Sequence, residues 1–268
     1  MPATPQAAQI FHDLHRDFLI LPNAWDAASG RLMQDTGAKA VATSSAAVAW
    51  SHGYADGHGL PIARLVVSVE EIARVVSVPI TVDAEAGYGD DPAQVGENIA
   101  ALIHAGGVGV NLEDGRDPHE LHLQKIAAAR EAAERAGVAL YINARTDVYL
   151  KKLVPPEQAL AESIRRGRAF KDAGADGFFV PGFLDAATIR EIAASVELPL
   201  NIIAMPGAPK AAELKALGAR RLSGATRVFG AAMNAARIAA EAFLREGDSD
   251  ALTQAAGTPP NWNEMFRA

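Results

Sequence analysis

The sequence predicts a (β/α)8 TIM barrel, an α/β fold in which eight parallel strands form a closed cylinder inside a ring of helices. Three observations predict it. A short apolar strand followed by an alanine-rich amphipathic helix recurs eight times. The length of 268 residues suits such a barrel as one domain spanning 1–268. A glycine recurs at one phase of the pattern, where a helix must stop before a strand, at Gly37, Gly137, Gly174 and Gly218.

Each predicted strand is a β-branched or apolar run that ends in polar groups. The strands are predicted at residues 18–23, 40–45, 79–85, 109–113, 139–145, 177–180, 199–204 and 221–223. Helices are predicted at 5–17, from Asp26 to Gly37, at 61–76, from Asp91 onward, up to Gly137, from Pro155 to Gly174, at 185–195 and 209–217, and up to Arg245. A doubly wound open sheet is the alternative, but no Gly-x-Gly-x-x-Gly follows the first strand. The tail 246–268 is apolar enough that we expect it to dock on its own barrel or on a neighbouring subunit.

The composition is that of a soluble globular domain of the size of an enzyme, not of a disordered chain. Hydrophobic residues make up 49% of the chain and charged residues 21%. The net charge of −7 argues against nucleic acid or an anionic membrane surface as a partner. No apolar run is long enough to span a bilayer, and the first residues lack a signal-peptide pattern. The absence of cysteine is compatible with a cytoplasmic location and excludes a thiol nucleophile or acid.

Carboxylates follow two consecutive predicted strands. Asp83 and Glu85 end the third strand, and Glu113 and Asp114 end the fourth. Acids at neighbouring strand tips are costly unless they are solvated or bind a cation. Oxygen ligands suit Mg²⁺ or Mn²⁺, with water in much of the octahedral shell. Helix capping or exposure to solvent is the alternative for each acid, but two consecutive strand ends favour the metal.

Arg145 is the one cation at the predicted strand ends. Its forked donors could hold a ligand carboxylate, and an internal salt bridge to a nearby acid is the alternative. No lysine lies within a strand end, since Lys151 and Lys152 fall beyond the fifth strand. Schiff-base chemistry therefore lacks its nucleophile, and a metal acting as Lewis acid is the remaining electron sink.

Other catalytic arrangements are poorly supported. Ser44 and Ser45 have no Gly-x-Ser-x-Gly setting, and no His-x-x-x-His pair with a glutamate indicates zinc. The serine hydroxyls and amides are better suited to binding an anion. Four histidines are predicted in or near loops over the barrel mouth, where an acid or base could act: His52, His58, His119 and His122.

Five motifs together resemble the isocitrate lyase/phosphoenolpyruvate mutase superfamily over residues 10–245. They are Leu21-Pro-Asn-Ala-Trp-Asp26, Thr43-Ser-Ser45, Asp83-Ala-Glu-Ala-Gly-Tyr-Gly89, Asn111-Leu-Glu-Asp-Gly115 and Asn143-Ala-Arg-Thr-Asp147. The resemblance implies a barrel with an extra C-terminal helix that subunits exchange, assembled as a dimer or tetramer. It also implies Mg²⁺-dependent handling of small 2-oxo acids.

The resemblance further implies roles for individual residues. Asp83 would be the direct metal ligand, and Glu85 and Glu113 would hold metal-bound water. Arg145 would grip the substrate carboxylate. That grip would be completed by Ser44, Ser45 and the backbone near Ala46. Asp56, from the second loop, matches the acidic residue near the metal, so Asp56, Arg145 and Glu113 are the catalytic candidates.

The sequence departs from this superfamily in the loop after the fourth strand. Lyases of the superfamily carry a Lys-x-Cys-Gly-His motif there, whereas this chain has Gly115-Arg-Asp-Pro-His-Glu-Leu-His122 and no cysteine. Mutases and phosphonopyruvate hydrolases use an asparagine in that loop, and none occurs between Asn111 and Asn143. The expected activity is C–C cleavage or decarboxylation of a small 2-oxo dicarboxylate, with His119 or His122 as a candidate acid. C–P bond chemistry and 2-oxo acid binding with little turnover are the alternatives.

Overall fold

Nine short strands make up the sheet in the described part of the chain. The computed structural model describes residues 3–257 and 260–267. The strands are β1 (Leu19–Leu21), β2 (Asn23–Ala24), β3 (Val41–Thr43), β4 (Ile80–Asp83), β5 (Gly107–Glu113), β6 (Tyr141–Arg145), β7 (Gly177–Phe179), β8 (Leu200–Ile203) and β9 (Ala219–Ser223). All adjacent pairs are parallel, in the order β1-β9-β8-β7-β6-β5-β4-β3-β2.

The two end strands of this order belong to one stave. β1 and β2 are separated only by Pro22, which has no backbone N–H to give to a strand ladder. β1 pairs with β9 and β2 pairs with β3, so the sheet closes on itself. The carbonyl of Pro22 still accepts a hydrogen bond from the Ala42 amide at 3.0 Å. The predicted (β/α)8 barrel is confirmed, and the predicted first strand is one stave interrupted at Pro22.

Helices alternate with the strands as predicted. They are α1 (Pro5–Leu14), α2 (Ala27–Asp35), α3 (Ser45–Ser51), α4 (Ile62–Val75), α5 (Pro92–Ala105), α6 (His119–Ala136), α7 (Ala159–Asp172), α8 (Ala186–Ser195), α9 (Ala211–Ala216), α10 (Arg227–Glu246), α11 (Ser249–Ala256) and α12 (Trp262–Met265). The four predicted stop glycines all have positive φ, between 66° and 106°. Helix α3 was not predicted, because its sequence reads as the end of a strand and a polar loop. No helix of the described residues is long and apolar enough to cross a membrane.

Helix α1 closes the amino-terminal end of the barrel. Phe11 is fully buried, and its ring packs edge-on against His15 and Tyr141. Gly109 makes room for it, since a Cβ there would lie 2.7 Å from Phe11 Cε1. The opposite, carboxyl-terminal end of the barrel therefore remains as the mouth.

Helix α10 follows the eighth stave, yet none of its described side chains is buried. Its exposed apolar residues include Met233, Ile238 and Leu244. On β1, Ile20 is 60% exposed, which is unusual for a strand of a barrel that helices normally cover. Helix α11 packs on α10, and Trp262 stacks on Phe266 in the tail. Residues 258, 259 and 268 of the tail predicted to dock lie outside the described residues.

Candidate active site

The barrel brings the predicted site residues to its carboxyl-terminal mouth. Adjacent parallel strands place Asp83 opposite Asn111 and Glu113 opposite Arg145. The carboxylates of β4 and β5 and the guanidinium of β6 therefore share one end of the barrel, where barrel enzymes carry their sites.

Asp83 is held by one carboxylate oxygen only. Its Oδ2 accepts hydrogen bonds from the Ser45 amide at 3.0 Å and the Ser45 hydroxyl at 2.9 Å. The Asp83 amide donates to Thr43 Oγ1 at 2.9 Å, which fixes the strand end. Oδ1 is buried and has no hydrogen-bond partner among the described residues. Burying a carboxylate oxygen without a partner costs free energy. A hard divalent cation bound to that oxygen would offset the cost.

The Glu85 carboxylate is positioned by a turn with strained backbone conformations. Glu85 has φ +47° and Tyr88 has φ +57°, a left-handed conformation that residues other than glycine seldom adopt. The His58 amide donates to Glu85 Oε2 at 2.5 Å, and the Tyr88 hydroxyl donates to Oε1 at 3.0 Å. Burial raises the pKa of the Glu85 carboxyl. The second predicted carboxylate thus lies buried beside the loop that carries His58.

Two buried side chains hold this turn in place. Asn98 Nδ2 donates to the carbonyls of Gly87 at 2.9 Å and Tyr88 at 3.1 Å. Lys125 Nζ donates to the Ala86 carbonyl at 3.1 Å and to Asp117 Oδ2 at 2.6 Å. The hydrogen bonds offset part of the backbone strain and connect the turn to the loop after β5.

Glu113, Arg145, Asp147 and Lys151 form a closed ring of alternating charges, which we call the charge ring. Arg145 binds Glu113 Oε2 through Nη1 and Asp147 Oδ1 through Nε, both at 2.7 Å. Lys151 Nζ binds the other oxygens, Glu113 Oε1 at 3.1 Å and Asp147 Oδ2 at 2.7 Å. Burial raises the pKa of Glu113 to about 7, although Arg145 and Lys151 oppose the rise. The predicted alternative for Arg145, an internal salt bridge, is therefore present in this structure.

Lys151 was missed as a site residue because it lies six positions beyond the end of β6. The backbone turns back after the strand, and the Lys151 amide donates to the Asp147 carbonyl at 2.8 Å. The i, i+4 spacing from Asp147, with opposite charges, was the signal that could have found it.

Asp114 does not belong with the other acids. Its Oδ2 accepts from Arg166 Nη1 and from the Thr146 hydroxyl, both at 2.6 Å, and its Oδ1 accepts from the Asp147 amide at 2.9 Å. It is fully buried and joins β5 to helix α7. The expectation that it contributes to the acidic cluster is wrong, because its two oxygens are used by the scaffold.

The four histidines predicted near the mouth lie in different places. His119 and His122 pack on Phe170 of α7, and His122 is fully buried there. Among the described residues neither ring is hydrogen-bonded or ion-paired with the carboxylates of the mouth, and complete burial corrects the assignment of His122 as a candidate acid. His52 is hydrogen-bonded to Ser68 at 2.9 Å. His58 alone of the four reaches the acids, with Nε2 3.6 Å from Glu85 Oε2.

The remaining predicted residues lie around the same end of the barrel. Ser44 and Ser45 are buried at the start of α3, and Ala46 follows them. Asp56 is exposed in the loop of residues 52–59, and no ion pair of the described residues involves it. No group of three or more His, Asp or Glu side chains in the described ranges could hold an ion directly. Asp83 Oδ1 is a carboxylate oxygen at the mouth without a partner among the described residues, and an ion held there would have to take water in most of its other positions.

A polar layer fills the barrel below the acids. Arg221 on β9 is fully buried, and its Nη2 donates to Asn111 Oδ1 at 3.2 Å. The same oxygen accepts from Asn143 Nδ2 at 2.9 Å. In the described part of the chain Arg221 Nε and Nη1 have no partner. Asn143 lies inside this layer, and Arg221 was not predicted as an interior residue.

Comparisons with known proteins identify the family. A family model described as phosphoenolpyruvate phosphomutase matches residues 11–244. An uncharacterized protein of Mycobacterium tuberculosis is 32% identical over 234 residues, 87% of this chain and 88% of that protein. The crystal structure of a candidate phosphonomutase from Burkholderia cenocepacia J2315 has a TM-score of 0.84 and 41% identity, covering 88% of this chain and 99% of that one.

A crystal structure of 2,3-dimethylmalate lyase has a TM-score of 0.82 and 26% identity, and the match covers 94% of this chain and 95% of the lyase chain. Other matched proteins are named 2-methylisocitrate lyase and oxaloacetate decarboxylase. The matched proteins thus include both lyases and mutases. With its barrel and the order of its strand-end motifs, the chain belongs to the phosphoenolpyruvate mutase family, within the isocitrate lyase/phosphoenolpyruvate mutase superfamily.

Proposed function

We propose that this protein is a Mg²⁺-dependent enzyme that cleaves a C–C bond in, or decarboxylates, a small 2-oxo dicarboxylate. The observation that carries the proposal is the Asp83 carboxylate, which has one oxygen anchored by Ser45 and the other buried with no partner in the part of the chain that the structure describes. It lies at the same barrel mouth as Arg145, whose guanidinium can meet a carboxylate.

The residues divide the task between metal and substrate. Asp83 would hold the cation directly, and Glu85 and Glu113 would hold its water ligands. The cation would supply a Lewis acid that withdraws electrons from a 2-oxo group. Arg145 would hold the substrate carboxylate, assisted by Ser44, Ser45 and the amide of Ala46. Asp56 would approach from its exposed loop when ligand is present.

C–C chemistry is favoured over C–P chemistry by the loop after β5. That loop, Gly115-Arg-Asp-Pro118, carries no asparagine of the kind that the resemblance assigns to phosphoryl transfer. It also carries no cysteine, so a C–C cleavage that needs a protein acid must draw it from elsewhere. Decarboxylation does not need a protein acid for bond cleavage, because CO₂ leaves without a proton and the enolate that remains can take its proton from solvent.

Assembly is part of the proposal. A groove of about 580 Å³ runs along β1 and includes Leu14, Phe18 and Ile20. Helix α10 leaves the barrel with its apolar residues exposed. We propose that α10 of a second copy takes part in covering β1, giving a homodimer or a larger assembly. Light scattering after size exclusion tests this, with Ile238→Glu on α10 expected to give monomers; a monomeric wild type contradicts it.

The function is tested by incubating the protein with oxaloacetate, 2-methylisocitrate and phosphonopyruvate, with Mg²⁺ or with EDTA. Proton and phosphorus NMR identify the products. We expect Mg²⁺-dependent loss of oxaloacetate or of 2-methylisocitrate. A phosphorus signal for inorganic phosphate would instead favour C–P cleavage, and tight binding of oxalate without any product would favour a binding protein.

Asp83→Ala tests the metal assignment. The variant should lose Mg²⁺-dependent binding of oxalate in calorimetry while it keeps the wild-type circular dichroism spectrum. Asp90→Ala is the matched control, because Asp90 lies in the same loop but is exposed. Equal Mg²⁺ dependence in both variants would show that Asp83 is not the ligand.

A further inference from the structure

Lys151 is a cation at the mouth to which the proposed function gives no task. Its Nζ lies 3.1 Å from Glu113 Oε1 and 2.7 Å from Asp147 Oδ2. Its side chain is 33% exposed, against 14% for Arg145, 11% for Glu113 and 0% for Asp147. Lys151 is therefore the member of the charge ring that a ligand can reach most easily.

With both carboxylates ionised, the charge ring carries two positive and two negative charges and no net charge. Each of its two carboxylates has one oxygen in contact with Arg145 and the other in contact with Lys151. An ammonium group has three N–H donors, and the contacts of Lys151 with Glu113 and Asp147 use at most two of them. One donor is left for a further acceptor, so the lysine can bind an anion without leaving the ring.

The two cations lie close enough together for one small ligand to contact both. Arg145 and Lys151 bind opposite oxygens of the same carboxylate, both in Glu113 and in Asp147. Their charged groups thus lie one carboxylate apart. A dicarboxylate whose first acidic group is held by Arg145 can place its second acidic group, a short carbon chain away, at Lys151, whereas a monocarboxylate held by Arg145 has no second acidic group to place there.

We propose that Lys151 is a specificity residue that binds the second carboxylate of the substrate and so selects 2-oxo dicarboxylates over 2-oxo monocarboxylates. The inference rests on the proposed function, in which Arg145 holds the first carboxylate. A purely structural Lys151, which only holds Glu113 and Asp147 in place, would affect both classes of ligand alike.

The test measures affinity in Mg²⁺ for ligand pairs that differ only in the distal group. Two pairs serve. 2-Oxoglutarate and 2-oxopentanoate are titrated directly by calorimetry. Oxaloacetate, which the proposed function consumes, is compared by its KM, and 2-oxobutyrate by its inhibition of that turnover. The wild type should prefer the dicarboxylate of at least one pair by about tenfold or more, as expected for a hydrogen bond to a charged group. Lys151→Met should lose that preference by weakening the dicarboxylate alone, and Lys151→Arg should keep part of it.

Lys152→Met is the matched control, since it removes the same charge from an exposed neighbour and should keep the wild-type preference. Equal weakening of both ligand classes by Lys151→Met would overturn the inference in favour of the structural role. A wild type that binds both classes equally would also overturn it and leaves the proposed function standing, even if Lys151→Met does not fold. A wild type that binds neither class would overturn the proposed function and this inference with it.

Discussion

The buried imidazole of His122 predicts a specific loss of stability in acid. Both of its ring nitrogens are buried without a hydrogen-bond partner among the described residues, and its ring packs on Phe170 at 4.8 Å. Burial lowers its pKa from 6.5 to about 3, and the nearby charges of Lys125 and Arg166 act in the same direction, as does His119 when protonated. We therefore examine the change His122→Leu, which removes the titrating group and keeps an apolar side chain of similar size.

The sign follows from proton linkage. Between pH 6.5 and 3 the unfolded chain binds a proton at His122 that the folded chain does not, so stability is fully present above pH 6.5 and falls as the pH decreases toward 3. A pH of 5 lies about 1.5 units below the unfolded pKa of His122, so the free energy of unfolding there is lower by roughly 2 kcal/mol. Burial also lowers the pKa of His15 to about 3. His15 therefore adds a similar loss of stability in acid, which is the same in the wild type and in His122→Leu.

Urea unfolding at pH 7.5 and pH 5 measures this difference. The wild type should lose about 2 kcal/mol more between the two pH values than His122→Leu does. Phe170→Leu is the control, because it damages the same contact without removing a titrating group and should keep the wild-type pH dependence. Equal pH dependence in the wild type and His122→Leu would refute the reasoning.

Three further changes test the interior and the loops. Arg221→Met should leave the free energy of unfolding unchanged or raise it, because the buried guanidinium lacks a carboxylate partner in the described residues; a loss above about 3 kcal/mol in urea unfolding would contradict this. Gly177→Ala should cost about 1–3 kcal/mol, since its Cβ would lie 2.5 Å from Tyr141 Oη. Adding Tyr141→Phe should restore part of the lost melting temperature, and no restoration would argue against that clash. Lys125→Met should cost about 1–3 kcal/mol and speed amide hydrogen exchange in residues 84–89, because Asp117 and the turn after β4 lose their shared donor; unchanged exchange would show that the turn is held by other contacts.

The sequence predicted the barrel because its signals are local and repeated. Each strand is a short apolar run, and each stop glycine occupies a left-handed position that other residues seldom take. Strand-end acids could be assigned to one mouth because parallel strands bring their carboxyl ends together. This rule alone was enough to predict that Asp83 and Glu113 lie at the same end of the barrel.

What the sequence could not predict depends on where side chains turn after the strands end. Lys151 reaches the charge ring because its backbone folds back on Asp147, and Asp114 turns away because Arg166 of α7 binds it. His122 lies at a helix start that looks like a loop over the mouth, yet its ring is packed between α6 and α7. Periodicity identifies a buried face without stating which neighbour it meets.

The split first stave has a consequence for how the chain is made. Because β1 pairs with β9, the cylinder cannot shut until residues 221–223 have been synthesised. Until then the nascent chain carries two unpaired strand edges, which are templates for misassembly. The pairing of β1 with β9 also joins residues about 200 positions apart, and such non-local pairing slows folding. We therefore expect a polypeptide halted before β9 to need chaperone protection, whereas one halted just after α10 could already complete its barrel.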